Sequence, residues 1–385
     1  MRRHGLAPGW WWQHAGVLSS RRLGPPAMPT LPARWTTRRL GLALAAVVAA
    51  GWFAAGPGAV ARAQTAAAID PQDRGSGTAV AIGGGLKSDN DEIYNRLIAA
   101  AGGKGGRWVV FGTASENPNG SAAQVVQQFA QRGVVAVALP VSPLLKDRPV
   151  AEVVRDPALV AQVRAARGVY FTGGAQARIV DSMLPGGVPT PLLQAIWSVY
   201  RAGGVVAGTS AGAAIMSSTM FRDAPDVLGA LKGQLRDGHE VDRGLGFMGT
   251  QLFVDQHFLK RGRIGRMLPL MRAKGYGLGL GVEENSAAVL KGDTVEILGR
   301  ALVVNLADAR SDPALGAFNL ANIRVSLLDT GDTLRLSDGR ITPSAAKGKG
   351  DVLDPAAPGY KPYYSLQPFY VDMLGDNVIA TAMAH

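Results

Sequence analysis

The sequence predicts an α/β fold in which a mainly parallel sheet is covered by helices and continued by a C-terminal group of strands. Two observations carry this prediction. Between residues 77 and 276, short runs rich in Val, Ile and aromatic residues alternate with longer amphipathic stretches, which is typical of parallel strands joined by helices. Between residues 278 and 305, apolar runs follow one another with no helical stretch between them. We therefore predict one α/β domain over residues 77–340 with a C-terminal β extension.

The first part of this domain contains predicted strands separated by helical patterns. The helix DNDEIYNRLIAAAG opens with Asp and closes with Gly, as helix termini often do. The strands are TAVAIGG, RWVVFGTAS, VVAVALPV, GVYFTGG and VVAGT, and the remaining helices are SAAQVVQQFAQRG, AEVVRDPALVAQVRAA with a break at its Pro, and PLLQAIWSVYRAGG.

The second part begins with the strand TQLFVDQHF and the helix GRIGRMLPLMRAKG. The strands of the extension follow as GLGLGVEE, SAAVL, TVEIL and ALVVN. The segment LLDTGDTLRLSDGRI predicts a hairpin. Residues 341–385 include a stretch rich in Pro, Gly and Lys, and we predict an irregular tail there.

Residues 1–63 have the layout of a secretory signal peptide. An Arg-rich start precedes an apolar stretch from Leu40 to Val60, and a small-x-small triplet ends at Ala63, so we expect cleavage there and export to a periplasm or the cell exterior. The alternative is a membrane anchor, because the apolar stretch approaches spanning length. The segment GWFAAGPG would interrupt such a helix, which favours the cleaved signal. A flexible polar arm is predicted over residues 64–76, and no membrane contact is expected of the mature form.

The positive charge of the chain is concentrated in this leader. The full sequence has a formal charge of +11, and residues 1–63 hold eight Arg and no acidic residue, so residues 64–385 carry 11 − 8 = +3. The basic composition therefore does not indicate a nucleic-acid partner.

The composition also limits the chemistry that a site can use. Because the chain has no cysteine, disulfides, thiolate nucleophiles and Cys-based metal sites are excluded. After the leader, the histidines are His239, His257 and His385, so a multi-histidine metal centre would need nearly all of them. We predict no metal and no cofactor.

The segment GTSAG, at the end of a predicted strand, matches the pattern G-x-S-x-G. Glycines at 208 and 212 allow a sharp turn from strand to helix, which would expose the Ser210 hydroxyl. The amide of Ala211 and the start of the next helix lie beside it and favour an oxyanion. The alternative is that Ser210 only caps the helix. The choice between nucleophile and cap depends on whether a base and an orienting acid are available to Ser210.

A serine nucleophile needs a base, and in a triad that base is usually a histidine oriented by a carboxylate. His257 follows an apolar strand, where residues of α/β sites gather, and we predict it as the base. His239 lies in the polar segment RDGHEVDRG and is the alternative, while His385 ends the chain, where order is rare.

The orienting acid is predicted at Glu283 or Glu284, which close the glycine-rich strand GLGLGVEE. Alternation along a strand points their side chains to opposite faces, so at most one enters the site. Solvent exposure of both is the alternative. A second oxyanion donor is predicted at Gly174, because the fourth and fifth strands are expected to be neighbours.

Three arginines follow the predicted base at the start of a helix. Cations are unfavourable there, so their placement suggests a use, and guanidinium groups bind carboxylates through paired hydrogen bonds. Arg261, Arg263 and Arg266 therefore predict an acidic substrate. A solvated basic helix face is the alternative.

Several segments together resemble the cyanophycinases, a serine peptidase family that also includes aspartyl dipeptidase. They are IGGG, YFTGGAQARI, GTSAGAA, VDQHFLKRGRIGRM and GLGLGVEENSA, within residues 78–305. The run from Asp255 to Arg266 is the most specific, because many hydrolases share a serine elbow.

The resemblance implies the flavodoxin-like three-layer sandwich of class I glutamine amidotransferase domains. It implies Ser210 as nucleophile, His257 as base and Glu284 as the third triad member. The pocket for an aspartyl residue would be lined by Gln176, Asp255, Arg261, Arg263 and Arg266. The family's substrate is cyanophycin, a poly-aspartate backbone with arginine on each side-chain carboxyl, which is cleaved to β-aspartyl-arginine dipeptides.

The leading hypothesis is an exported serine exopeptidase that acts on cyanophycin. The alternatives are a dipeptidase of the same family acting on aspartyl or isoaspartyl peptides, an α/β-hydrolase, and an exported binding protein without turnover. A homodimer is a further expectation, because serine peptidases of this fold often pair.

Overall fold

The computed structural model describes residues 70, 72–73, 75–222, 226–316 and 318–347. The predicted signal peptide, most of the predicted arm and the tail beyond residue 347 lie outside these residues, so the domain boundaries and the export signal stay predictions. The described residues belong to the unit Ala63–His385. Within them, no helix combines the length and the apolar character needed to cross a membrane.

The strands of the described residues are labelled in chain order. They are β1 (Thr78–Ile82), β2 (Trp108–Phe111), β3 (Ala136–Leu139), β4 (Gly168–Phe171), β5 (Val205–Thr209), β6 (Thr219–Phe221), β7 (Val241–Arg243), β8 (Leu252–Gln256), β9 (Leu278–Val282), β10 (Ala287–Lys291), β11 (Thr294–Leu298), β12 (Arg300–Asn305), β13 (Arg324–Asp329), β14 (Thr333–Arg335) and β15 (Ile341–Thr342).

The helices are labelled in the same way, and short 3-10 turns occur at Pro185–Gly187, Pro313–Leu315 and Ala345–Lys347. The α-helices are α1 (Asp91–Ala100), α2 (Pro118–Gln131), α3 (Val150–Val153), α4 (Pro157–Arg164), α5 (Gln176–Met183), α6 (Pro191–Arg201), α7 (Ala211–Ala214), α8 (Val227–Leu231) and α9 (Ile264–Lys274).

The larger sheet has the strand order β15-β14-β11-β10-β1-β5-β4-β2-β3. The strands from β1 to β3 in that order are parallel to their neighbours. From β10 to β15 every pairing is antiparallel. The strand β1 joins the two parts, because it pairs in parallel with β5 and antiparallel with β10. The predicted α/β fold with its β extension is confirmed, since the sheet and helices match that architecture.

Hydrophobic cores lie on both faces of this sheet. Along β1, Ala79 and Ala81 belong to one buried cluster and Val80 and Ile82 to another, as the alternation of side chains in a strand requires. A strand buried on both faces reads as a continuous apolar run, which is why TAVAI was recognisable in the sequence.

The helices form where their sequences supply caps and an apolar stripe. In α6, the Thr190 hydroxyl accepts a hydrogen bond from the amide of Leu193 at 3.2 Å, and Pro occupies the first turn, two features that start helices. Residues at positions 192, 193, 196, 199 and 200 of α6 are buried, which is the spacing of one helix face.

Two smaller sheets complete the fold. One has the order β13-β12-β9-β8 and the other pairs β6 with β7. In the four-stranded sheet, β8 and β9 are parallel, so the segments that follow these two strands leave at the same edge. A third buried cluster, which includes Phe253 of β8, Leu302 of β12 and Met267 of α9, packs against this sheet.

The hairpin predicted in LLDTGDTLRLSDGRI is confirmed for its second half, where β14 pairs antiparallel with β15. Its first half does not pair with β14. The strand β13 pairs with β12 in the four-stranded sheet, whereas β14 pairs with β11 and β15 in the larger sheet. The turn at Thr330 and Gly331 therefore passes the chain from one sheet to the other. Sequence patterns indicate a strand and a turn, but they do not indicate which edge each strand joins.

Candidate active site

Ser210 lies in the sharp turn between β5 and α7. Its backbone has φ 54° and ψ −111°, a region that non-glycine residues rarely adopt. A Cβ atom at Gly208 would lie 2.2 Å from the carbonyl oxygen of Gly212, and one at Gly212 would lie 2.5 Å from that of Phe171. Both flanking positions thus require glycine, and the turn they permit raises the Ser210 hydroxyl above the sheet.

His257 follows β8 and also has a positive φ, of 48°. Its Nε2 atom lies 2.8 Å from Ser210 Oγ. Its Nδ1 atom lies 2.6 Å from Glu284 Oε1. The three side chains form a continuous hydrogen-bonded chain from carboxylate to hydroxyl, which is the arrangement that activates a serine.

The neighbouring Glu283 has a different environment. Its Oε2 atom accepts hydrogen bonds from the amides of Leu259 at 2.6 Å and Lys260 at 3.0 Å. Glu283 therefore caps the loop after His257, while Glu284 contacts the imidazole. The structure thus distinguishes Glu283 from Glu284, between which the alternation of side chains along a strand could not decide.

The end of β1 and the glycines that follow it fix the backbone of the site. The carbonyl oxygens of residues 82, 83 and 84 accept, in that order, the amides of Ser210 at 3.0 Å, His257 at 2.7 Å and Asn285 at 2.7 Å. A Cβ atom at Gly84, where φ is +107°, would lie 2.1 Å from Cε1 of the His257 ring. This role was not predicted from the sequence, although the run of glycines at 83–85 was a signal for it.

The site keeps the imidazole neutral. Burial lowers the pKa of His257, the hydrogen bond to Glu284 raises it, and the positive charges of Arg261 and Arg263 lower it further, with a net shift below its ordinary value of 6.5. A neutral imidazole at neutral pH accepts a proton from a hydroxyl, as a general base must.

A cleft of about 540 Å³ opens beside Ser210. It runs over the face of the larger sheet toward α1 and α2. Its lining comes from the loop after β1, from α1 and α2, from the ends of β4 and β5, and from the loop after β8: Gly85, Leu86, Ser88, Tyr94, Ser121, Gln124, Val125, Gln128, Tyr170, Thr172, Gly173, Gly174, Thr209, Ser210, His257 and Arg261.

The sequence pattern of peptidase family S51 matches residues 79–298 of this chain. That range contains all three members of the hydrogen-bonded chain. The chain belongs to peptidase family S51. It is therefore a serine-type peptidase.

Curated relatives of this S51 peptidase carry the name cyanophycinase. One from a Nostoc species is 28% identical over 280 residues, which cover 69% of this chain and 88% of the relative. One from Synechococcus elongatus is 29% identical over 273 residues, covering 68% and 79%. The crystal structure of a peptidase from an acI-B1 actinobacterium covers 68% of this chain and 98% of its own, with 21% identity and a TM-score of 0.50, a likeness of fold.

Among the predicted substrate residues of the S51 peptidase, Arg261 lines the cleft, but Asp255, Arg263 and Arg266 are part of the core. Arg266 donates to both carboxylate oxygens of Asp255, through Nε at 2.8 Å and Nη2 at 2.6 Å. Arg263 lies 3.4 Å from the same carboxylate and donates to the carbonyl of Gln256 at 2.7 Å. The prediction that Asp255, Arg263 and Arg266 line the substrate pocket therefore differs from the structure.

Burial and mutual pairing explain this difference. Arg266 and Asp255 each expose 2% of their surface, and a buried charge is stable only when it is paired and hydrogen-bonded. Burial lowers the pKa of Arg263 to about 9 against the attraction of Asp255. Burial raises the pKa of Asp255, and the charges of Arg266 and Arg263 outweigh it so that the net shift is downward. Asp255 and Arg263 therefore stay ionised at neutral pH.

Gln176, the remaining predicted substrate residue, also lies outside the cleft. It starts α5, is buried, and donates from Nε2 to the carbonyl of Phe221 at 2.7 Å. The helix α5 was not recognised in the sequence, because its apolar residues Ile179, Val180 and Met183 span little more than one turn.

The predicted oxyanion donors lie near the nucleophile. Ala211 follows Ser210 directly, and Gly173 and Gly174 line the cleft. A Cβ atom at Gly173 would lie 3.1 Å from Cβ of Ser210, whereas one at Gly174 would meet the carbonyl of Ala114 at 2.0 Å. The assignment of Ala211 and Gly174 as oxyanion donors stays a prediction, and of the two glycines Gly173 is the one whose Cβ position has Ser210 as its nearest neighbour.

The alternative base lies elsewhere. His239 is exposed in the segment before β7 and does not line the cleft, while His385 lies outside the described residues. Within the described part of the chain, no group of three or more His, Asp or Glu side chains is placed to hold a metal ion.

Proposed function

We propose that this peptidase is an exported serine exopeptidase that hydrolyses cyanophycin to β-aspartyl-arginine dipeptides. The observation that carries the proposal is the hydrogen-bonded chain from Glu284 through His257 to Ser210, which opens on a cleft bordered by Arg261. The cyanophycinase names of the curated relatives support the substrate.

In the proposed acylation step, Ser210 Oγ attacks the carbonyl carbon of the scissile peptide. His257 Nε2 takes the hydroxyl proton, and Glu284 stabilises the resulting imidazolium. The carbonyl electrons move onto oxygen, where the amide of Ala211 and one of the neighbouring Gly173 or Gly174 amides would stabilise the charge. The imidazolium then gives its proton to the departing amine, leaving an ester at Ser210.

Deacylation reverses these roles. A water molecule gives a proton to His257 and attacks the ester carbon, and collapse of the second tetrahedral intermediate returns the proton to Ser210 Oγ. The product leaves with a new carboxylate. Each step uses groups that belong to the chain or to water.

The charge of the cleft supports an acidic substrate. Arg261 is exposed at its edge, and a guanidinium binds carboxylates through two parallel hydrogen bonds. In cyanophycin each aspartyl side-chain carboxyl is joined to arginine, so the carboxylates that Arg261 could bind are those of the attached arginines and of the end of the polymer. Export would bring the enzyme to polymer released by lysed cells, and the leader sequence supports that location.

The test uses purified mature protein and insoluble cyanophycin. We expect clearing of the polymer and release of β-aspartyl-arginine, identified by mass, and we expect Ser210→Ala to lower kcat by at least about a thousandfold. Equal clearing by Ser210→Ala would refute the mechanism. N-terminal sequencing of protein recovered outside the cytoplasm tests export, with a start after Ala63 as the expected result.

A dipeptidase specific for aspartyl or isoaspartyl peptides is the second candidate. It is favoured by the burial of Arg263 and Arg266, which leaves Arg261 as the arginine of the predicted cluster that reaches the cleft. Comparing kcat/KM for the polymer with kcat/KM for a β-aspartyl dipeptide separates the two candidates. Tight binding of either substrate without hydrolysis would indicate a binding protein instead.

A further inference from the structure

The floor of the cleft contains a buried hydroxyl that the mechanism above does not use. Thr172 follows β4 and exposes 4% of its surface. It lines the cleft, and its Oγ1 atom is buried with no hydrogen-bond partner among the described residues. Buried polar groups are almost always paired, because leaving one unpaired destabilises the fold. The hydroxyl is closed to solvent in this structure, so a substrate oxygen can pair with it only if the Thr172 side chain turns toward the cleft. An unpaired hydroxyl beside a nucleophile indicates such a partner.

Thr172 is one of several neutral donors on the same face of the sheet. Phe171 of β4 pairs with Gly208 of β5, so the next residues, Thr172 and Thr209, lie side by side at the ends of these strands. Tyr170 is two residues before Thr172, hence on the same face, and it also lines the cleft. Burial raises the pKa of Tyr170, which keeps this phenol protonated and able to donate.

The walls of this part of the cleft are also uncharged. Ser121, Gln124 and Gln128 approach from α2. Among the described lining residues, Arg261 carries the permanent charge, and no carboxylate lines the cleft. The nearest acid of the site, Glu284, is bonded to His257. On the α2 wall a guanidinium would find no carboxylate, whereas an oxygen acceptor would find hydroxyl and amide donors.

We propose that Thr172 is a specificity-determining residue whose hydroxyl donates to a substrate oxygen, a carboxylate or a peptide carbonyl, in a subsite that excludes the guanidinium of arginine. This inference rests on the proposed peptidase function and extends it, because it assigns the aspartyl part of the substrate to the α1–α2 side of Ser210. The arginine side chain then points away from this subsite toward solvent.

The first experiment compares Thr172→Val, which removes the hydroxyl at nearly constant shape, with Thr172→Ser, which keeps it. We expect Thr172→Val to lower kcat/KM for a β-aspartyl peptide about tenfold or more, and Thr172→Ser to stay within about threefold, as for a lost charge-assisted hydrogen bond. Thr294→Val, at an exposed position of β11, is the matched control and should match the wild type.

Thermal unfolding separates recognition from structural damage. Removing an unpaired buried hydroxyl should leave the Tm of Thr172→Val equal to or above that of the wild type. A wild-type kcat/KM in Thr172→Val would overturn the inference while leaving the peptidase function intact. A loss of activity accompanied by a lower Tm would also overturn it, because the hydroxyl would then be structural.

The second experiment works without turnover. In the Ser210→Ala protein, N-acetyl-aspartate should raise the Tm in a concentration-dependent way, ethylguanidinium should not, and adding Thr172→Val should weaken the N-acetyl-aspartate effect. Amidated N-acetyl-aspartate, which lacks one carboxylate, distinguishes a carboxylate from a carbonyl as the acceptor. Protection by ethylguanidinium, or equal protection with and without the Thr172 hydroxyl, would contradict the subsite even if no peptide is hydrolysed.

Discussion

The edge of the sheet that carries the site and the antiparallel extension differ in backbone strain. Among the described residues, the non-glycine positions with positive φ are Ser210, His257, Asn285 and Asn322. The first three are triad members or adjoin one, and the strands β10, β11, β14 and β15 contain none. The extension has regular pairing and fully buried residues such as Val295 and Leu334. Strained backbone conformations thus occur at and beside the catalytic residues. The regular packing of the extension stabilises the fold that keeps those residues in position.

The largest expected effect that tests this comparison comes from Gly84→Ala. The new methyl group would occupy the space of the His257 ring, so the base would move and kcat should fall by about a thousandfold. Gly292→Ala, in the β10–β11 turn with positive φ and open space around the Cβ position, is the control and should keep the wild-type kcat. Equal losses in both variants would show that backbone strain, not contact with His257, is responsible.

The extension should affect stability without affecting catalysis. Leu334 is fully buried in β14, and Leu334→Ala should lower the free energy of unfolding by about 2–5 kcal/mol. Below the unfolding transition, kcat/KM should be unchanged. Urea denaturation and initial rates on the same preparation measure both. A fall in kcat/KM for fully folded protein would mean that the two regions are coupled.

Relief of strain at the nucleophile should raise stability. Glycine adopts the Ser210 backbone conformation without steric cost, so Ser210→Gly should raise the free energy of unfolding by about 1 kcal/mol while removing activity. Ser326→Gly, in the regular strand β13, should instead lower it. Urea denaturation of the two variants gives the comparison, and a destabilised Ser210→Gly would mean that the turn stores no strain.

The smallest expected effect concerns pH. Because the pKa of His257 is lowered, kcat/KM should fall on the acid side at a midpoint below pH 6.5, as the imidazole gains a proton and stops acting as a base. Arg261 contributes to the lowering, so Arg261→Gln should move this acid limb to higher pH, by a small amount because solvent screens an exposed charge. Arg324→Gln, at an exposed position of β13, should leave the limb in place. An unmoved limb in Arg261→Gln would contradict the assignment of His257 as the titrating base.

Local patterns in the sequence predicted those parts of the molecule that local interactions determine. The strands around β1 and β5 were recognisable because each is buried on both faces, and the turn at Ser210 because two glycines are sterically required there. His257 could be predicted as the base by elimination, because the sequence after the leader has three histidines. These features need no knowledge of distant contacts.

Features that depend on distant partners were not predictable. Nothing near β13 or β14 in sequence indicates that they join different sheets. Arg263 and Arg266 resemble exposed substrate ligands until Asp255 is seen to engage them in the core. Likewise, Glu283 and Glu284 differ only in what faces them: backbone amides in one case and the imidazole in the other.

The three consecutive carbonyls at the end of β1 and just after it have a consequence for biosynthesis. They leave the ribosome early, but the amides that they accept belong to residues 210, 257 and 285, which emerge much later. A growing chain therefore cannot assemble a working nucleophile until about three quarters of its length has been made. The nucleophile of this hydrolase is therefore not positioned while the first three quarters of the chain are being synthesised.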